Sequence, residues 1–305
     1  MFLNEFKNHF TSLLSDDYPK YEINIFFKRL THFYFGWSPT FSFLNPDYLL
    51  DKEEFKKLNY ALKDLKKFKP LQYIFNEAHF CGREFYVNEN VLISRRETEE
   101  LVKWVLNDFN DLEYSLNILE LGTGSGCISI SLAKEKSLFN IEAIEISEMA
   151  LSIAKKNSIS LGAEISFFQE DISELKLWHK TLDVIISNPP YIEPNEKKEM
   201  MSNVLDYEPH LALFTPENDP LYFYKKIIDF AQSVLRSNGI IYFEINPKYF
   251  DKLRTIIKNK SFKDKKIEED EEKFIIPVKD ILNQLFEKEI QSVLIEGGAK
   301  TLQPF

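Results

Sequence analysis

The sequence predicts an α/β protein in which a mostly parallel sheet carries helices on both faces and follows a small helical bundle. After about residue 115, short apolar runs alternate with amphipathic helical stretches, which is typical of a parallel sheet covered on both faces. Before about residue 75, apolar residues recur every three or four positions, which indicates helices. The clustering of three of the nine glycines at 122–126 indicates a special backbone requirement there.

Residues 1–75 are predicted to form the helical domain. Phe and Leu recur at helical spacing from Phe2 to Leu14, and a later helix follows Asp51, where the acid-rich DKEE suits a first turn. This segment holds 11 Lys and Arg against 9 Asp and Glu, in a chain whose net charge is −10. Two interpretations stay open: a bundle that only packs on its neighbour, or a docking domain for a partner.

Residues 76–94 are expected to form a linker hairpin that turns at Asn88–Asn90. The α/β domain is assigned to 95–267 and begins with the helix ETEELVKWVL. Its elements in chain order are strand SLNILEL, helix CISISLAKE, strand IEAIEI, helix EMALSIAKKNS and strands ISFFQ and LDVIIS. Pro220 then opens a helix with one apolar stripe through Leu235, which Asn238-Gly239 is expected to end before the strand GIIYFEI.

Composition limits the classes of function. The net charge of −10 argues against a dedicated nucleic-acid binder, which needs a basic face. Cys81 and Cys127 are too few for a disulfide framework or a CxxC metal site, and the histidines show no ligand spacing. No apolar run approaches the length of a membrane-spanning helix. We therefore expect a cytoplasmic protein that binds no metal and contacts no membrane. We also expect it to be a monomer that contacts no nucleic acid directly.

The string LELGTGSGC begins on a strand and ends on a helix. Glycines at these positions let the backbone turn tightly and approach a ligand, and the helix start directs free N–H groups into the same space. Glu145 ends the next apolar strand, where an acid can accept hydrogen bonds from a ribose diol. The pattern favours a site for a ribose-bearing cofactor over a tight turn beside a strand-end carboxylate.

The glycine spacing is GxGxG, whereas the dinucleotide fingerprint is GxGxxG. It resembles the first motif of the class I S-adenosylmethionine-dependent methyltransferases, which implies a Rossmann-like fold and S-adenosyl-L-methionine as cofactor. The resemblance implies that the loop wraps the methionine part, that Glu145 holds the ribose, that Asp171 lies near the adenine amine and that Ile172 lines its ring. The loop residues concerned are Gly122, Thr123, Gly124, Ser125 and Gly126.

A second motif, Asn188-Pro189-Pro190-Tyr191, follows the strand LDVIIS. Open α/β sheets bind ligands at this end of their strands. The two prolines remove N–H donors and fix the backbone, so an amide side chain and rigid carbonyls remain as acceptors for one NH2 group. Tyr191 would add an aromatic wall. The tetrad suits a planar nitrogen, either a carboxamide or the exocyclic amine of a base.

This tetrad resembles two families, the protein glutamine methyltransferases and the adenine-N6 DNA methyltransferases. Four further stretches, KPLQYIFNEAHFCGREFYVNENVLISRRETEELV, NPPYIEPNE, YEPHLALF and DPLYFYKKII, resemble the peptide chain release factor glutamine methyltransferases. The resemblance implies that the helical domain recognises the release factor and that the second domain methylates the glutamine of its Gly-Gly-Gln loop. It implies that Asn188 serves both cofactor and glutamine, that Pro189, Pro190 and Tyr191 hold the glutamine, and that Thr98 and Glu99 lie beside the cofactor.

The alternative functions are an adenine-N6 nucleic-acid methyltransferase and a non-catalytic binding protein. The sequence also departs from the family: Ser94 and Arg96 stand where prolines are usual, and Glu145 replaces a more usual Asp. Residues 268–305 form an atypical tail in which ILNQLFEKEIQSVLIEGGAK resembles a piece of the reductase domain of the riboflavin-biosynthesis deaminase/reductase. We expect this tail to pack on the sheet edge or stay loose, and to have no reductase activity.

Overall fold

The computed structural model describes residues 1–259, 268–270, 273–276 and 293–297. The chain forms two compact units. The first contains residues 1–77 together with 202–207, and the second contains residues 78–201 and the described residues from 208 onward. Within the first unit the Tyr207 hydroxyl donates to the main-chain oxygen of Lys67 at 2.8 Å. A short segment distant in sequence therefore belongs to the helical unit, which the sequence pattern does not reveal.

The first unit is helical, as the apolar spacing predicts. The third long helix begins where DKEE suggests: the Asp51 carboxylate accepts from the main-chain N–H groups of Glu53 and Glu54, and the Glu54 carboxylate accepts from Asp51 N at 2.9 Å. This reciprocal cap satisfies donors that a helix start leaves unpaired. Its helices are α1 Leu3–Leu14, α2 Lys20–Phe35, α3 Phe41–Leu44, α4 Lys52–Leu65 and α5 Leu71–Phe75.

A hairpin of β1 (Glu77–Phe80) and β2 (Arg83–Tyr86) follows. The expectation that a turn at Asn88–Asn90 closes the hairpin is wrong, because the strands are joined by Cys81 and Gly82 with φ of 48° and 71°. Two successive positive φ angles are characteristic of the two-residue turns that match the twist of a hairpin. Asn88 instead forms its own tight turn, in which its side-chain oxygen accepts from Asn90 N at 3.0 Å.

The second unit contains the predicted parallel sheet. Five strands pair in the order β5-β4-β3-β6-β7, and each neighbouring pair is parallel. The prediction of the central strands is confirmed, with β6 covering the residues of LDVIIS and β3 those of LNILEL. The strands are β3 Leu116–Leu121, β4 Phe139–Glu145, β5 Ser166–Gln169, β6 Leu182–Ser187 and β7 Leu235–Ile245.

Helices cover the sheet, and buried apolar clusters lie on both of its faces. The prediction that a helix continues through Leu235 to a stop at Asn238-Gly239 is wrong. Leu235 is extended, with ψ of 138°, and pairs with Leu182 across a register shift, so that Asn238 with φ of 70° lies within β7. The helices of this unit are α6 Arg96–Asp108, α7 Cys127–Glu135, α8 Glu148–Leu161, α10 His210–Leu213, α11 Tyr222–Val234 and α12 Phe250–Asn259, whereas α9 Ser202–Leu205 belongs to the first unit.

The described parts of the tail extend the sheet beyond β7. They are β8 Glu268–Asp270, β9 Lys273–Ile276 and β10 Val293–Gly297. Strand β10 runs parallel to β7 and antiparallel to β9. These described strands of the tail thus lie on the sheet edge, one of the two expected outcomes. Residues 281–292 and 298–300 of the reductase-like stretch lie outside the described residues, and the resemblance to a reductase fragment stays a prediction.

None of the described helices is long and apolar enough to cross a lipid bilayer.

Candidate active site

A cavity of about 690 Å³ opens in the second unit at the carboxyl ends of β3, β4 and β6. This is the edge at which parallel sheets bind ligands, and the volume lies within the usual range for small-molecule sites. Its walls come from the segment before α6, the glycine loop, the ends of β4 and β5, and two segments after β6. The predicted residues that line it are Thr98, Gly122, Thr123, Gly124, Ser125, Glu145, Asp171, Ile172, Asn188 and Pro190.

The glycine loop uses its glycines for two different reasons. A Cβ added at Gly124, where φ is +55°, would meet no atom within 4 Å, so this position borders open cavity. A Cβ at Gly126, where φ is +81°, would lie 2.9 Å from Ile130 Cδ1 and 3.3 Å from Ala154 Cβ. Gly124 therefore leaves room for a ligand, whereas Gly126 lets α7 and α8 pack closely.

Glu145 lies at the end of β4 and is nearly buried. Its carboxylate accepts from Gly124 N at 2.9 Å and from Ser147 N at 3.0 Å. A carboxylate has about four acceptor positions, so capacity remains for a ligand hydroxyl. Asp171, across the cavity, accepts from Ser173 N at 2.7 Å and precedes the buried Ile172, against which Gly122 packs.

A second acid, Glu120, supports the glycine loop from behind, and the sequence pattern does not indicate it as a site residue. It is 2% exposed and accepts from Thr123 Oγ1 at 2.6 Å, from Ser129 N at 3.1 Å and from the Ser129 hydroxyl. Burial raises the pKa of Glu120 to about 7, although these donors oppose the rise. The sequence feature that could have indicated Glu120 is the position of this acid near the end of an apolar strand, two residues before the first glycine of the loop.

The members of the tetrad occupy different environments. Asn188 and Pro190 line the cavity, whereas Pro189 is buried. Tyr191 packs against the apolar cluster beneath the sheet, and burial raises the pKa of its hydroxyl. Asn188 Nδ2 lies 3.4 Å from Thr98 Oγ1, its hydrogen-bond acceptor. The Thr98 hydroxyl in turn donates to Glu244 Oε2 at 2.6 Å, and Glu244, at the end of β7, is a further residue that the sequence did not indicate.

Thr98 and Glu99 were both expected beside the cofactor, and only Thr98 lines the cavity. The Glu99 carboxylate accepts from Cys81 N at 2.8 Å and joins α6 to the hairpin turn. Neighbouring residues on a helix project about 100° apart, so the two side chains serve different surfaces. The expected position of Glu99 is therefore wrong.

An ion pair joins two of the cavity walls. Arg95 Nη2 contacts Glu208 Oε1 at 2.6 Å, and Ile93 N donates to the other oxygen of this carboxylate at 3.4 Å. Glu208 is buried, with its side chain 2% exposed. Ser94, which precedes Arg95, and Pro209, which follows Glu208, both line the cavity. The pair thus fixes the segment before α6 to the segment before α10.

We expect the stability of the protein to decrease as pH rises through about 7. Burial raises the pKa values of Glu120 and Glu244 from 4.5 to about 7 in the folded state. The folded state therefore holds a proton at each carboxyl that the unfolded state has released, so the stabilisation is complete below pH 4.5 and is lost as pH rises through about 7. The loss is about 3 kcal/mol for each carboxyl.

The measurement is the free energy of unfolding between pH 5 and pH 8.5 for the wild type and for Glu120→Gln. The variant should lose less stability over this range, since glutamine keeps the acceptor oxygen and cannot ionise. Glu113→Gln, at an exposed position, is the matched control and should follow the wild type. A Glu120→Gln curve parallel to the wild-type curve would contradict the prediction.

Comparison with known proteins agrees with both units. Residues 88–208 match the family model described as methyltransferase small domain, and residues 8–75 match the model described as PrmC N-terminal domain. A release factor glutamine methyltransferase of Flavobacterium psychrophilum is 39% identical over 274 residues, covering 88% of this chain and 95% of the relative. A protein of the same name from Bacteroides thetaiotaomicron is 37% identical over 269 residues, covering 88% of this chain and 96% of the relative.

These relatives are matched over nearly their whole length, at an identity that shows common family membership. The two family models cover most of the helical unit and, in the second unit, the glycine loop and the tetrad. The chain belongs to the release factor glutamine methyltransferase family.

Proposed function

We propose that this protein transfers a methyl group from S-adenosyl-L-methionine to the side-chain amide of the glutamine in the Gly-Gly-Gln loop of peptide chain release factors. The observation that carries the proposal is the position of Asn188, which lies in the same cavity as the glycine loop. Asn188 Nδ2 donates a hydrogen bond to Thr98 Oγ1, so the side-chain oxygen of Asn188 remains for a donor on the substrate.

The cavity has the chemistry that this cofactor requires. Open space beside Gly124 admits a ligand close to the main chain, and Glu145 keeps acceptor capacity for a ribose diol. Asp171 and Ile172 would face the adenine ring, the first as acceptor for its amine and the second as an apolar surface. The bound cofactor supplies a methyl group on a positively charged sulfur.

The residues of the tetrad would orient the substrate. We propose that Asn188 Oδ1 and the main-chain oxygen of Pro189 accept the two N–H bonds of the glutamine amide, while Pro190 and Tyr191 shape its surroundings. Holding both N–H bonds fixes the nitrogen in line with the methyl carbon, and such positioning supplies much of the rate. As the C–N bond forms and the C–S bond breaks, the N–H bonds become more acidic and the two acceptors stabilise them. One proton then leaves the nitrogen for solvent.

The helical unit is the proposed docking domain for the release factor. Its residues 1–75 carry more Lys and Arg than Asp and Glu in a chain of net charge −10, which suits a partner with an acidic surface. We further propose that the enzyme acts as a monomer in the cytoplasm and contacts no nucleic acid directly. The adenine-N6 alternative is not favoured, since the close relatives are named for release factors.

The test is transfer of a labelled methyl group to a purified release factor. We expect incorporation into the wild-type factor and none into a factor whose loop glutamine is replaced by alanine. Duplex DNA, tested in parallel, should receive no label. Label in DNA but not in the factor, or label in the factor that survives the glutamine replacement, would overturn the proposal.

A further inference from the structure

We propose that Glu244 and Thr98 are positioning residues that fix the amide orientation of Asn188, through a chain of two hydrogen bonds, so that its oxygen faces the substrate. We call this the Glu244–Thr98–Asn188 chain. The inference rests on the proposed function for its catalytic consequence. It deepens that function by assigning roles to two residues outside the Asn-Pro-Pro-Tyr motif.

The three residues come from different elements of the second unit. Glu244 lies near the end of β7, Thr98 is the third residue of α6, and Asn188 follows β6 directly. Thr98 Oγ1 lies 2.6 Å from Glu244 Oε2 and 3.4 Å from Asn188 Nδ2. Glu244 and Thr98 are each 3% exposed and Asn188 is half-buried, so water competes little for the bond between Thr98 and Glu244.

The chain has a direction because a hydroxyl carries a single hydrogen. Thr98 gives that hydrogen to the Glu244 carboxylate, so only its lone pairs remain for Asn188. Asn188 must therefore present Nδ2 to Thr98, and a hydrogen bond from the Asn188 side chain to the Glu244 carboxylate favours the same orientation. The flipped amide would place Oδ1 against a hydroxyl with no hydrogen to offer, so this part-buried contact would lose its hydrogen bond and bring two acceptors together. The orientation that survives leaves Oδ1 for the N–H bonds of the substrate.

Among the described residues, the groups around Glu244 do not form a dedicated ion pair with its carboxylate. Arg95 and Glu97 face it from the start of α6, but Arg95 already pairs with Glu208. Tyr191 faces it from the loop after β6, and the Tyr224 hydroxyl on α11 donates to its main-chain oxygen rather than to its carboxylate. Burying an acid without a dedicated cation is costly, and such groups concentrate at functional sites.

The deciding experiment compares Thr98→Val, which keeps the shape and removes the hydroxyl, with Thr98→Ser, which keeps the hydroxyl. We expect Thr98→Val to lower kcat by about 10- to 100-fold, somewhat less than the loss of a direct transition-state donor. The KM for the release factor and the Kd for S-adenosylhomocysteine should change less than about threefold, and Thr98→Ser should recover most of the lost kcat. Equal kcat in the wild type and Thr98→Val would overturn the inference.

A pH profile separates a positioning role from a merely structural one. Protonated Glu244 can donate to Thr98, which frees the Thr98 hydrogen and removes the preference for Asn188 Nδ2. We therefore expect the wild-type kcat to fall as pH drops below about 7, because burial raises the pKa of Glu244 to about 7. Glu244→Gln, which cannot ionise, should lack this limb. If the kcat of Glu244→Gln fell at low pH with the same midpoint and to the same extent as in the wild type, the inference would be wrong.

A second readout needs no activity and keeps the inference separate from the proposed function. In protein labelled with 15N at asparagine, the Asn188 side-chain amide is the resonance that Asn188→Ala removes. We expect its N–H groups to shift and to exchange faster with water in Thr98→Val, and to keep wild-type behaviour in Thr98→Ser. An unaltered resonance in Thr98→Val would refute the chain. Failure of the wild type to methylate the factor would refute only the proposed substrate.

Discussion

Replacing Asn188 with alanine is expected to abolish methylation of the release factor while cofactor binding stays within about threefold of the wild type. The side chain sits at the end of β6 and lines the cavity, where its oxygen would hold one N–H bond of the glutamine. Removing one pre-oriented polar group of this kind costs about 10²- to 10³-fold in kcat. Here the same group also sets the direction of the nitrogen, so the loss should reach the upper end of that range or exceed it.

The measurement pairs single-turnover methylation with calorimetric binding of S-adenosylhomocysteine. Asn140→Ala is the matched control, since Asn140 is exposed near the opposite end of the sheet, at the start of β4. It should retain wild-type rate and binding. If Asn188→Ala lost cofactor affinity by the same factor as rate, its role would be in binding the cofactor and the assignment would be wrong.

Most of the fold could be predicted because its signals are local. The strand LDVIIS and the helix CISISLAKE occur in the structure over the residues that the pattern indicates. The errors lie where two local signals compete. Asn88–Asn90 is a typical turn sequence, yet Cys81-Gly82 adopts the positive φ angles that close the hairpin. Likewise Asn238-Gly239 is a typical helix-ending sequence but lies within β7, where pairing with β6 decides the conformation.

The site could be predicted where its residues share a short motif, and not where they meet through the fold. The glycine loop and Asn188 each follow a recognisable strand, and parallel strands bring such ends together. Glu244 and Thr98, in contrast, are 146 residues apart. The one local signal for Glu120 and Glu244 was an acid near the end of an otherwise apolar run, in ILEL and YFEI. Such an acid must be neutral, paired or functional, and the sequence alone does not say which.

Two alanine substitutions in the same loop should have different effects, because the two glycines face different surroundings. At Gly126 a Cβ would lie 2.9 Å from Ile130 Cδ1 and 3.3 Å from Ala154 Cβ, at φ of +81°. The backbone strain costs about 1–2 kcal/mol and the forced contacts about 1–3 kcal/mol. We expect Gly126→Ala to lower the free energy of unfolding by about 3 kcal/mol and to weaken cofactor binding as the loop shifts.

At Gly124 the added Cβ meets no protein atom within 4 Å, so Gly124→Ala carries only the backbone strain of about 1–2 kcal/mol. The Cβ instead occupies space that we assign to the cofactor, and we expect binding of S-adenosylhomocysteine to weaken at least about tenfold, or 1.4 kcal/mol. Chemical denaturation and calorimetry on both variants provide the measurement. Equal stability losses would contradict the packing role of Gly126. Wild-type affinity in Gly124→Ala would mean that the cofactor does not approach the loop at this glycine. A methyl group placed against a bound ligand must move either the ligand or the loop, and either movement weakens binding.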